Sequence, residues 1–166
     1  RHPKGGLACS SGGRMGAVAA VRGVGLAAGD ATAGRAAAFY ASHHVLVKGA
    51  LFLAVGVIAA SGAGRRAVVL VPAMLLCLGL GGLPFTGGAI AKYAVKDQLD
   101  VGVVGWLAAA SAVGTTLLML HFFSRLAAYG SEDAQATAPM GLRWPWLAMA
   151  AAALLLPWLL HPMTGL

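Results

Sequence analysis

Residues 36–60 read AAAFYASHHVLVKGALFLAVGVIAA, an apolar run of membrane-crossing length that carries Tyr40, His44 and Lys48 at four-residue intervals. At helical period these three side chains share one face, so a titratable track runs through an otherwise greasy helix. Lys48 sits at mid-helix, where a lysine costs about 2.5–3.5 kcal/mol on insertion scales, and such a residue calls for a compensating role. The whole chain has the same character. It is 59% hydrophobic and 10% charged, too apolar for a soluble domain with a charged surface. An all-α integral membrane protein is therefore expected, with the lipid bilayer as its first partner.

The net charge of +7 does not point to nucleic acid, because the basic residues are scattered or sit at the ends of apolar runs, with no basic stripe and no stacking aromatics beside it. They read as topology signals. Cys9 and Cys77 are isolated within apolar segments and form no ligand spacing, so neither a metal site nor a disulfide is expected. The opening, RHPKGG, lacks the charged lead and short apolar core of a signal peptide and reads as a loop entering a helix. The 166 residues are expected to form a single membrane domain, part of a longer polypeptide.

Outward from residues 36–60, the chain offers five stretches of spanning length. The first, 6–28, is the weakest, since it carries Arg14, Arg22 and six glycines. GDATAG links it to the second span, 36–60, and SGAGRR closes that one. The third, 67–95, is longer than a straight crossing requires, and its middle reads GLGGLPFTGG. Pro84 removes a backbone donor amid Gly79, Gly81, Gly82, Gly87 and Gly88, which predicts a broken helix. Backbone freed at membrane depth must be buried in protein or line a hydrated cavity. Lys96, Asp97 and Asp100 mark a polar turn before the fourth span, 101–128, which contains His121 and ends near Arg125. The fifth, 144–160, has Trp144, Trp146 and Trp158 near its ends, as interfacial anchors would be placed. With five spans, Arg1, Lys4, Arg65, Arg66, Arg125 and Arg143 fall on one side, and Arg35 and Lys96 on the other. The positive-inside rule puts the first group in the cytoplasm and the C-terminus outside.

Chemistry centres on the basic groups. His44 lies one turn before Lys48, and an imidazole with an ordinary pKa near 6.5 suits reversible proton exchange with it. Lys92 follows the break and can face the same interior. Tyr40, His43 and His121 are secondary candidates: Tyr40 packs or extends the track, His43 points about 100° away from His44, and His121 bridges to the far side or is structural. No acidic residue falls within the spans, so a carboxylate partner must come from further chain or another subunit.

HHVLVKGALFLAVG followed by GLPFTGGAIAK resembles the second half of the antiporter-like membrane subunits shared by respiratory NADH:quinone oxidoreductase, membrane-bound hydrogenases and multisubunit cation/proton antiporters. The opening PKGGLACSSGGRMG is similar to that family's segment of the form DxKxxLAYSSxxQMG, with Lys4, Leu7, Ala8, Ser10, Ser11, Met15 and Gly16 in register. Cys9 and Arg14 stand where the pattern has tyrosine and glutamine. The resemblance covers residues 4–95 and implies that Lys48, His44 and Lys92 belong to a chain of protonatable groups along the middle of the membrane; Tyr40 stands where some members have a further histidine. It further implies a non-redox, proton-translocating subunit without cofactor or metal, assembled with other membrane subunits in a bacterial inner membrane. A subunit of a sodium/proton antiporter or of an inorganic-carbon uptake complex is the rival within transport. A non-conducting membrane scaffold is the rival from another class.

Overall fold

A computed structural model describes residues 3–99, 102–131, 133 and 135–164. Arg1, Asp100 and Val101 lie outside the described residues, as do the side chains of Lys4, Cys9 and Asp97. The chain is all-α. Its elements are α1 (Pro3–Ala28), α2 (Ala33–Ala59), α3 (Arg66–Gly81), α4 (Gly87–Tyr93), α5 (Lys96–Leu99), α6 (Gly102–Ala127) and α7 (Met140–Thr164), with a 3-10 turn, Ala63–Arg65, ahead of α3. Four segments are long and apolar enough to cross a membrane: Ala33–Ala59, Ala63–Gly81, Gly102–Ala127 and Met140–Thr164. The protein is accordingly an integral membrane protein. α1 matches them in length, but its arginines and glycines leave it outside that set.

α2 is the central helix. Its 27 residues contain no proline, and apolar side chains occur all round it, the pattern of a helix that is surrounded rather than laid on a surface. It packs most extensively on α7 and also touches α1, α3 and α4. Leu51, Ala54, Val55 and Ile58 of α2 join Leu76 and Cys77 of α3, Met119 and Phe122 of α6 and Ala150 of α7 in the main core. Nearer the start of α2, Ala36, Ala37, Phe39 and Tyr40 pack with Val21 of α1 and Ala91 of α4 in a smaller cluster. Most of α6 faces outward, exposing Val103, Trp106, Leu107, Val113 and Leu117, a surface suited to lipid.

One of the tryptophans expected to act as an interfacial anchor is not placed as one. Trp144 and Trp158 are exposed as anchors should be, whereas Trp146 is only 2% exposed and belongs to the main core. The reason is geometric. Trp144 and Trp146 are two residues, and hence about 200°, apart on the helix, so they cannot both face the bilayer.

At one end of the bundle the α2–α3 and α6–α7 connections are tied together. The Gly62 amide donates to the Ala136 carbonyl (2.8 Å), and the Arg66 guanidinium donates to the Ser131 carbonyl (2.7 Å). Arg65, Arg66 and Arg143 are therefore gathered at a single end. The α1–α2 turn lies at the opposite end of α2, closed by Thr32, whose amide and hydroxyl both donate to the Asp30 carboxylate.

Candidate functional site

The site is built around the point where α3 stops. A helix leaves its last four carbonyls without intrahelical partners, here those of Leu78, Gly79, Leu80 and Gly81. Gly82 takes a left-handed conformation (φ 86°), which lets its amide donate to the Gly79 carbonyl (2.9 Å) and the Leu83 amide to that of Leu78 (3.1 Å). This is a Schellman closure, and it satisfies two of the four. Cationic side chains satisfy the other two: Arg14 donates to the Leu80 carbonyl (2.6 Å), and the Lys92 ammonium donates to the Gly81 carbonyl. Positive charge at a helix C-terminus also complements the macrodipole. The chain then turns through Pro84 and Phe85, the latter at φ 64°, and restarts at Thr86, whose hydroxyl accepts the Ala89 amide as an N-cap (3.3 Å). α4 returns so close to α3 that a side-chain carbon at Gly88 would collide with the Gly79 carbonyl, so only glycine fits.

Arg14 also donates from its other terminal nitrogen to the Tyr40 hydroxyl, with its guanidinium carbon 5.9 Å from the centre of the Tyr40 ring. Arg14 is 6% exposed, so one buried cation from α1 joins α2 to the terminus of α3. Its charge acts on His43, His44 and Lys92 alike. A cavity of about 240 Å³ opens beside it, with Tyr40, Lys92, Lys96 and Ser111 among its walls.

Lys48 is buried one turn beyond His44 and donates to the Leu7 carbonyl of α1. His43 and His44 are both buried. His43 faces the start of α4, its Cε1 lying 3.3 Å from where a side-chain carbon at Gly87 would be, so it lies on the side of α2 toward α4 and α7. None of the four imidazole nitrogens of His43 and His44 has a hydrogen-bond partner among the described residues. A buried polar group left in that state costs about 1–3 kcal/mol.

The structure thus brings Tyr40, His43, His44 and Lys48 into the interior on α2, and Lys92 against the end of α3. It does not bring His121 to them: that side chain is exposed on α6. Nor does one cavity hold every candidate, since Lys48, His43 and His44 are not among the walls of the Arg14–Lys92 cavity. Arg14 is the group that the sequence reading passed over. An arginine inside an apolar stretch was the available signal, because an intramembrane cation marks a site by default. The described residues contain no cluster of histidine, cysteine and carboxylate able to hold a metal ion. Comparison of the chain with protein-family models, curated proteins and solved structures finds no match.

Proposed function

We propose that this chain is a proton-translocating membrane subunit of an NADH:quinone oxidoreductase-like or hydrogenase-like complex, carrying protons through His44, Lys48 and Lys92. The observation that carries the reading is the concentration of buried basic groups on α1 and α2: Arg14, His43, His44 and Lys48 are each less than a tenth exposed. None of the chain's five acids falls within α1–α4, α6 or α7. Ionisable groups buried within membrane helices are costly unless their charge is used, and in this reading an adjoining subunit brings a carboxylate to them.

In this reading α1 serves as a fifth crossing, with the cost of burying Arg14 partly offset by its hydrogen bonds to Tyr40 and the Leu80 carbonyl. α3 and α4 are the two halves of a third, discontinuous crossing. Proton exchange runs from Lys48 and His44 past Tyr40 and Arg14 to Lys92, and the lysines alternate between carbonyl-bound ammonium and neutral amine. No redox chemistry takes place in this chain. The setting is a bacterial inner membrane, with other membrane subunits as partners.

A scaffold reading has its own support, because Arg14 and Lys92 both cap the end of α3 and would be kept for that alone. Lys48 separates the two readings, since its Leu7 partner lies near the start of α1 and not among the open carbonyls at a helix C-terminus. Proton pumping by the full complex should be abolished by Lys48→Met with the complex still assembled. Pumping at the wild-type rate in both Lys48→Met and Lys92→Met would sink the proposal.

A further inference from the structure

At the arginine-rich end of the bundle a cleft of about 90 Å³ is walled by Ser61, Arg65, Arg143 and Trp146. It collects positive potential from several independent sources. Arg65 and Arg143 bring two cations, and no acidic residue is among the described residues that line it. The N-termini of α3 and α7 both reach it through Val69 and Arg143, and neither helix has an acidic residue in its first turn. Arg65 stands at the N-cap of α3 without a side-chain cap bond; the Arg66 amide donates to the Ala63 carbonyl of the preceding 3-10 turn, and the helix dipole adds partial positive charge at this end. Trp146, 2% exposed, is among the residues lining the same cleft, and its buried indole N–H has no hydrogen-bond partner among the described residues. An indole N–H is a donor only, so the group it awaits is an acceptor.

The outer wall continues down α3 as an exposed apolar strip, Val68, Val71 and Leu75, at a spacing that keeps all three on one face. We infer that this cleft binds the phosphate of an anionic membrane phospholipid, with an acyl chain lying along Val68, Val71 and Leu75. Basic recesses between helices at the membrane surface suit acidic headgroups. The arginines supply charge-assisted, bidentate donors, and Trp146 supplies a buried one. The strip distinguishes a lipid from free phosphate, because only a lipid gains from covering it.

The test uses the full chain in detergent micelles, titrated with phosphatidylglycerol, phosphatidylcholine or inorganic phosphate and followed by native mass spectrometry and thermal unfolding. Phosphatidylglycerol should remain bound and raise the unfolding temperature, while phosphatidylcholine does neither. Arg65→Gln with Arg143→Gln should weaken phosphatidylglycerol binding by roughly thirtyfold, from about 1 kcal/mol for each arginine at a membrane surface. Trp146→Phe, which keeps an aromatic ring, though a smaller one, and removes the donor, should weaken it several-fold and decides the matter if the double variant does not fold. Equal binding of the two lipids, or unchanged binding in Trp146→Phe, would overturn the proposal, as would full stabilisation by inorganic phosphate alone.

Discussion

Arg14 is the residue on which most depends. Its guanidinium spans two acceptors far apart in sequence, Tyr40 and the Leu80 carbonyl, and it does so with 6% exposure. Replacement by leucine removes both bonds and leaves the Leu80 carbonyl without a partner at a buried helix end. Hydrogen bonds to charged groups contribute about 1.5–3 kcal/mol, so Arg14→Leu should lower stability by that order in detergent unfolding experiments. Arg14→Gln keeps an amide donor and should recover part of the loss. Tyr40→Phe removes one acceptor only and should cost about 1 kcal/mol, well short of Arg14→Leu. Lys48 has a different signature. Its contact with Leu7 joins α2 to α1 without closing a helix terminus, so Lys48→Met should change proton flux far more than it changes the unfolding midpoint. Equal effects on both would place Lys48 with Arg14 among the structural cations. None of these partners could be read from local spacing. Tyr40, His44 and Lys48 were legible as a track because they lie on one helix, whereas the bonds of Arg14 close over 26 and 66 residues.

The α3–α4 break is the element that positions the site, and its parts differ in how openly the sequence displayed them. Glycines and Pro84 mark the interruption, and Gly82 and Thr86 are the residue types that end and restart helices. That Lys92 folds back onto Gly81 was hidden, because the direction of α4 after the turn depends on packing against α3, α2 and α7. The burial of Trp146 was hidden for a related reason: two tryptophans near a helix end look alike until the buried face is known. The tightest point of the element is Gly88, where any side chain meets the Gly79 carbonyl. Gly88→Ala should therefore push α4 away from α3, disturb the Lys92 cap and destabilise the fold by about 1–3 kcal/mol, the usual range for overpacking. Gly114 on α6 is the matched control, since a side-chain carbon there meets nothing within 4 Å. Gly114→Ala should be neutral or add about 0.5–1 kcal/mol through helix propensity. Thermal unfolding of the two variants side by side checks both expectations, and similar losses would show that the close approach of α4 to α3 does not govern stability.

For the whole molecule, the two ends of the bundle carry unequal charge. Arg65, Arg66 and Arg143 cluster where the α2–α3 and α6–α7 connections are bonded together, and Arg125 lies in the last turn of α6 leading into the same connection. Arg35 and Lys96 belong to the opposite end, at the first turn of α2 and in α5. The bias favours retention of the arginine-rich end in the cytoplasm, because basic residues within short connections resist translocation. α2 separates Ala31, in the α1–α2 turn, from Gly64, in the 3-10 turn, and both are exposed. Each can carry a single reporter cysteine in a background with Cys9→Ser and Cys77→Ala, the second of these removing a thiol that is already buried. A membrane-impermeant maleimide applied to intact cells should label Ala31→Cys. Gly64→Cys should react only after the membrane is opened. The opposite pattern would invert the bundle and put the Arg65–Arg143 cleft on the outer surface, so a single labelling experiment fixes the membrane face onto which that cleft opens.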